Sequence, residues 1–201
     1  MKDECSMPLP DGYIAALEQL GVAFQAYYQR TGHHAVLVGG AATAIYTAGA
    51  FPSGDFDIVA ANSPAFDEAL LQAGFRREDR AGHLLVGFYH PGHPAYGFQQ
   101  VSGALFDGRA DRDRLRVLST SRGDQLALPS IEDMIADRLA QYAVASPTDD
   151  SRLLQARMLV KLADPIDRDY LLRRIHEEGG DPALLEIGDP EAEPWPPRRP
   201  R

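Results

Sequence analysis

The sequence predicts an α/β (α+β) protein, with a mixed β-sheet of about five strands flanked by helices and a helical bundle at the C-terminus. Three observations point there. Short apolar runs without helical period are interspersed with amphipathic stretches up to Pro129. Glycine and proline punctuate the joints. After Pro129 the strand-like runs cease and three helical patterns follow one another.

Taken in order, Asp11 is positioned to cap a helix running to about Gln29, with Leu17, Phe24 and Tyr27 on one face and Gly32 ending it. Tyr27 and Tyr28 read as core and rim. "AVLV" (35–38) is a short buried strand, Gly39-Gly40 breaks it, and "AATAIYTA" resumes as a helix. "DFDIVA" (55–60) is a second strand. Ser63-Pro64 reads as an N-cap followed by proline at the first helical position, opening a helix to about Gln72. "HLLVGFYH" (83–90), "YGFQQVSG" (96–103) and "LRVLST" (115–120) complete the strands, with "HPGHP" as a turn between the first two. Ser130 and Asp133 form a capping-box-like start to a helix of about 130–145. A second helix covers about 150–163, where Asp149 and Asp150 favour the helix dipole. The third starts at Asp164-Pro165 and ends near Gly179-Gly180. This divides the chain into an α/β domain (1–126), a helical region (127–182) and a proline-rich, charged tail (183–201) read as disordered apart from whatever Trp195 docks onto.

Composition narrows the function classes. A formal net charge of −9 argues against coating nucleic acid by bulk electrostatics, while leaving room for a local basic patch. The single cysteine, Cys5, has no intrachain partner, which rules out a disulfide scaffold and suits a reducing cytoplasm. "MKDECSMPLP" lacks the apolar core of a signal peptide. The uncharged stretch from Ala35 to Phe51 falls short of the roughly 20 residues that cross a bilayer. A soluble, cytoplasmic protein without a membrane partner is expected.

The chemistry lies in "VLVGGAATAIYTAGAFPSGDFDIVA" (36–60). On a strand, side chains two apart leave the same face, so Asp55 and Asp57 stand side by side while Phe56 enters the core. Two adjacent carboxylates repel unless something positive sits between them. Mg²⁺ suits such a pair, because it takes hard oxygen ligands, keeps several waters and is shared with substrate phosphates. Upstream, Gly39 and Gly40 allow close backbone approach to a phosphate at the start of a helix with unpaired N–H groups. Ser53 is placed to offer its hydroxyl to the same phosphate.

This order of strand, Gly-Gly, short helix and D-x-D strand resembles the nucleotidyltransferase superfamily with the DNA-polymerase-β-like fold, and within it the AbiEii-type branch of toxin–antitoxin toxins. "LPSIEDMIADRLAQY" (128–142) looks like that branch's following helix, and "PTDDSRLLQARMLVKLA" (147–163) like the acidic start of the next. The resemblance spans roughly residues 33 to 165. It implies a nucleotidyltransferase-like fold and transfer of a nucleoside monophosphate from an NTP to an RNA (tRNA) or protein acceptor, with a cognate antitoxin as partner. Asp55 and Asp57 would be the catalytic, metal-holding pair for Mg²⁺ or Mn²⁺. Gly39, Gly40, Ser53 and Arg138 would bind nucleotide phosphates.

Three departures accompany it. The superfamily adds a third carboxylate from a neighbouring strand, whereas this chain has Gln99 and Gln100 there, with Asp107 a few residues on. Arg138 stands where the branch has lysine, and the two are not interchangeable. The connection from Gly40 to Asp55 carries no lysine or arginine. A second reading therefore stands beside the first: a nucleotidyltransferase-fold protein without turnover, acting as a binding or regulatory module. Elsewhere, His83, His90 and His93 read as turn chemistry rather than a zinc cluster, and His33-His34 as a surface pair. "DGRADRDRLR" (107–116) reads as a self-paired loop, or alternatively as a tRNA-contacting edge.

Overall fold

A computed structural model describes residues 9–78, 87–146 and 148–185. The chain forms two compact units, Met1–Pro129 and Ser130–Arg201. The strand expected at 83–90 is described only as Gly87–Tyr89. Cys5 and the tail from 186 onward, with Trp195, lie outside the described residues.

The first unit is a seven-stranded mixed sheet with helices. Its elements are α1 (Asp11–Thr31), β1 (Val36–Val38), α2 (Gly39–Tyr46), β2 (Asp55–Val59), α3 (Ser63–Gln72), β3 (Arg76–Glu78), β4 (Gly87–Tyr89), β5 (Gly97–Ser102), β6 (Arg116–Ser119) and β7 (Gln125–Leu128). The strands lie in the order β3-β4-β5-β2-β1-β7-β6. Two of the seven, β3 and β7, are not among the strands that the sequence predicts. β3 is three charged residues at the sheet edge, and β7 is four residues buried between two partners; neither is long enough to show a period.

Alternation along β2 sorts its residues. Phe56 and Ile58 are fully buried on one face, and Phe56 stacks on Phe98 of β5, its ladder partner, with ring centroids 4.7 Å apart. Tyr13, Phe75 and Tyr96 extend this aromatic cluster, while Phe24, Tyr27 and Phe66 join α1 to α3. Asp55, Asp57 and Val59 leave the opposite face, where Val36, Val38, Val59, Leu105, Ala110 and Ala127 make a second small core. This second core supports β1 and β2 beneath the carboxylates.

Helix ends differ from expectation in three places. α1 starts from Pro10 without a side-chain cap, and Asp11 is its first helical residue. In α3 the cap is Asn62, whose Oδ1 accepts from Ala65 N at 3.2 Å, which moves Ser63 inside the helix. In the second unit, α4 (Ile131–Ala143) is capped by Ser130, whose Oγ accepts from Asp133 N at 3.0 Å. α5 (Ser151–Leu162) and α6 (Arg168–Glu178) pack against it. α6 begins after Asp167, whose Oδ1 takes Tyr170 N, and not at Asp164-Pro165. No helix among the described residues is long and apolar enough to cross a membrane.

Candidate functional site

Asp55 and Asp57 leave the same face of β2, the first exposed and the second half-buried. β1 runs antiparallel beside them, with Val38 opposite Asp57, so the chain emerging from β1 turns directly next to the Asp57 carboxylate. That turn is Gly39. Its φ of +67° belongs to the left-handed region, and a Cβ built on it would lie 2.6 Å from Asp57 Oδ2. Glycine is required here twice over, for the backbone angle and for the room the carboxylate takes. Gly40 stands in the same relation to Ser53, whose Oγ would be 2.8 Å from an added Cβ. On the other side, a Cβ on Gly97 of β5 would meet Asp55 Oδ1 at 2.8 Å. Three glycines on three segments thus clear the space that the two carboxylates and the serine hydroxyl occupy.

The sequence-predicted residues Gly39, Gly40, Ser53, Asp55 and Asp57 therefore come together at one edge of β2. Ser53 donates to the Asp55 carbonyl at 3.0 Å, which folds the approach to the strand back over α2's first turn. Thr43 Oγ1 donates to Gly39 O at 3.1 Å and fastens that turn from within the helix. Gly97 carries no signal in the sequence. Its role follows from the register Asp55↔Gly97, which no local pattern reveals.

The third position is filled by an amide. Gln99 of β5 lies opposite Asp57 in the parallel ladder and donates from Nε2 to Asp57 Oδ1 at 2.7 Å. Gln100 points elsewhere, donating to Ala60 O and Ser63 Oγ at 2.7 Å each. Asp107 sits in a 3-10 turn (Leu105–Gly108) at φ +53°, with its side chain 83% exposed and paired to Arg109 at 2.9 Å. Arg109–Asp107 and Arg114–Asp111 pairs bear out the self-paired reading of that loop. Arg138 belongs to the helical unit, where its guanidinium is 1% exposed and engaged by Asp137 and Gln155. That engagement gives it a structural role in α4 in place of the phosphate-binding one expected. His90 and His93 lie 5.1 Å apart in their turn, where His90 Nδ1 accepts from Gly92 N. Burial and the neighbouring His93 hold His90's pKa below the ordinary imidazole value.

No lysine, arginine or histidine pairs with Asp55 or Asp57 among the described residues. Nor do three or more His, Cys, Asp or Glu side chains among those residues converge there on one point. Two same-face carboxylates with a neutral amide between strands suit a hard divalent cation that keeps several waters and takes the rest of its ligands from a phosphate. A cleft of about 420 Å³ opens beside the pair, lined by Asp55, Glu78, Tyr89, Tyr96, Gly97 and Gln99 among others.

Comparison with known proteins shows the fold. The chain is similar to an antigenic nucleotidyltransferase-like protein from Paracoccidioides brasiliensis, at 16% identity and a TM-score of 0.56 over 85% of this chain and 89% of that one. It is similar to ANT(2″)-Ia in complex with adenylyl-2″-tobramycin, at 10% identity and 0.53 over 83% and 96%. JHP933 from Helicobacter pylori follows at 15% and 0.50 over 88% and 78%. The sequence matches no family model and no curated protein. The fold is therefore that of nucleotidyltransferase-like proteins.

Proposed function

We propose that this chain is a metal-dependent nucleotidyltransferase, moving a nucleoside monophosphate from an NTP to an acceptor hydroxyl. The observation that supports this most directly is the Asp55–Asp57 pair, unpaired by any cation among the described residues and seated against the glycine turn at 39–40. Asp55 and Asp57 would hold Mg²⁺ or Mn²⁺, and the metal when bound supplies neutralising charge to the triphosphate. The first turn of α2 presents backbone N–H groups, and Ser53 a hydroxyl, on the same side as the carboxylates. These groups orient phosphate oxygens without contributing charge of their own, so the field at the site is set by the two aspartates and whatever cation they hold.

The resemblance to AbiEii-type toxins supports a finer version: a cytoplasmic toxin with a cognate antitoxin, acting on tRNA or protein. One observation favours a second reading. With Gln99 where a third carboxylate would act, the site has an amide in place of a side chain able to take the acceptor's proton, as befits a binding or regulatory module that keeps nucleotide without turnover.

Calorimetric titration of the four NTPs, with and without Mg²⁺, into wild type and the Asp55→Asn/Asp57→Asn variant tests the first proposal. Metal-dependent binding that vanishes in the variant is expected. Unchanged NTP affinity in the variant overturns it. Incubation with labelled NTP and tRNA or protein acceptors separates the readings: labelled product ends the second, and metal-dependent binding with no transfer to any acceptor favours it.

A further inference from the structure

We infer that the cleft beside the aspartate pair receives an acceptor carrying both a hydroxyl and a protonated amine, and that Glu78 on the edge strand recognises the amine. The inference rests on the nucleotidyl-transfer reading and adds the chemistry of the acceptor.

The sheet register places Glu78 on the working face. Glu78 pairs with Gly87, Gly87 with Gln99, and Gln99 with Asp57, so these four form one row across β3, β4, β5 and β2. Ladder partners share a face, and Glu78 therefore stands on the side of the sheet that carries Asp57. The neighbouring row runs Arg76, Tyr89, Gly97 and Asp55. Gly87 has no side chain to intervene, and a Cβ built there would touch Glu78 Oε2 at 3.4 Å. The Glu78 carboxylate thus leans inward over β4 and lines the cleft, while Arg76 is exposed at the edge and does not.

Distance decides what Glu78 can do. Three ladder spacings of about 4.8 Å put its Cα roughly 14 Å from that of Asp57. That is too far for the two to share one metal ion, but it suits opposite ends of one small molecule lying over Gly97 and Gly87. At about 420 Å³ the cleft is large enough for such a molecule. Its lining includes Asp55 and Glu78 but no lysine or arginine among the described residues, with Tyr89 and Tyr96 beside them. Phosphates of an RNA acceptor would meet carboxylates there and no cationic side chain of that lining. An ammonium group would form a charge-assisted hydrogen bond from its own N–H to Glu78.

In the transfer the acceptor's hydroxyl oxygen bonds to the α-phosphorus and the α–β bridging P–O bond breaks. Pyrophosphate leaves, and the hydroxyl proton passes to water. Glu78 touches the amine and is a specificity-determining residue in this scheme, not the base.

Glucosamine and glucose differ at one position by amine against hydroxyl, and serve as probes. Amide ¹⁵N shifts of the full chain are followed during titration with each sugar, with Mg²⁺–ATP binding measured in parallel. Glucosamine, but not glucose, is expected to move the amides of Gly87, Tyr89 and Gln99. Glu78→Gln is expected to weaken glucosamine binding by about tenfold, the share of one charge-assisted hydrogen bond, while Mg²⁺–ATP affinity stays as in wild type. Equal responses to the two sugars, no response at those amides, or unchanged glucosamine affinity in Glu78→Gln each overturn the inference. Should Mg²⁺–ATP bind through the aspartates while glucosamine leaves the cleft amides unmoved, the inference falls alone. Should glucosamine bind as expected and Mg²⁺–ATP fail to bind, the transfer reading falls and the amine site stands.

Discussion

Two groups of aspartates in this protein have been given opposite surroundings. Asp133, in the helical unit, is 1% exposed. It accepts from Arg174 Nε at 2.6 Å, from Tyr170 Oη at 3.0 and 3.1 Å and from Ser130 Oγ at 2.8 Å. Arg174, itself fully buried, also donates to Glu177 and Glu178. Asp55 and Asp57 stand half-open to solvent, with one amide donor beside them and no cation among the described residues. Low dielectric makes the first arrangement obligatory, because a buried charge without its partner is heavily penalised. The second keeps two like charges close with no nearby cationic side chain to offset them. A carboxylate satisfied within its own fold contributes to stability; one left for an outside cation is kept for binding.

The comparison breaks first at the site. Asp55→Asn/Asp57→Asn should lower kcat/KM for nucleotidyl transfer by roughly 10³-fold or more, since a metal's contribution is several kcal/mol. The same variant should melt no lower than wild type without metal, because the substitution relieves repulsion and empties no core. A variant that loses both activity and its melting transition would mean the pair is structural after all. In the helical unit the signs reverse. Arg174→Met, which strands Asp133, should destabilise that unit by about 3–5 kcal/mol, read by urea denaturation. Adding Asp133→Leu should recover much of this, because the pair together is worth far less than either member alone. Mg²⁺–NTP affinity should not change in either variant.

A smaller effect tests whether the glycine turn belongs to the site. Gly39→Ala meets both a left-handed φ and a 2.6 Å approach to Asp57 Oδ2. The backbone cost is about 1–2 kcal/mol, and displacement of the carboxylate should weaken Mg²⁺ binding by roughly 10–100-fold, as disturbing the group that orients a metal ligand does. Gly54→Ala is the control, since a Cβ there meets nothing within 4 Å. Equal metal affinity in the two variants would separate the turn from the site.

Much of this is legible in the residues, for reasons that also explain the omissions. Asp55 and Asp57 announce a shared face because strand alternation depends on sequence spacing alone. Gly39-Gly40 announces a break for the same local reason. The seven-stranded sheet and its nucleotidyltransferase-like fold agree with the mixed-sheet prediction, although β3 and β7 leave no periodic trace. What spacing cannot convey is register. Whether Gln99 or Gln100 faces Asp57, why Gly97 must be glycine, and that Glu78 shares a row with the pair all depend on which strands are neighbours and at what offset. Arg138 differs from its expected role for a related reason, because its burial among Asp137 and Gln155 is set by helix packing. The N-cap at Asn62 has a plainer explanation: Ser63-Pro64 is a good signal one residue too late.

The finest test of the contrast puts a third charge where the chain has an amide. Gln99→Glu keeps the side chain's length but exchanges a donor to Asp57 Oδ1 for a carboxylate facing one across the ladder. Without metal, the lost hydrogen bond and the new repulsion should together destabilise the unit by about 1–2 kcal/mol. With Mg²⁺ present the sign should turn, since three carboxylates bind a divalent cation more tightly than two and binding to the folded state alone raises its stability. The measurement is a pair of melting curves, without Mg²⁺ and with a saturating excess of it, for wild type and variant. A metal-dependent rise larger in the variant identifies the Asp pair as a cation site one ligand short. Equal rises would place the cation elsewhere, and Gln99 would then be a hydrogen-bonding cap on Asp57, bringing the pair closer in kind to Asp133 than its exposure suggests.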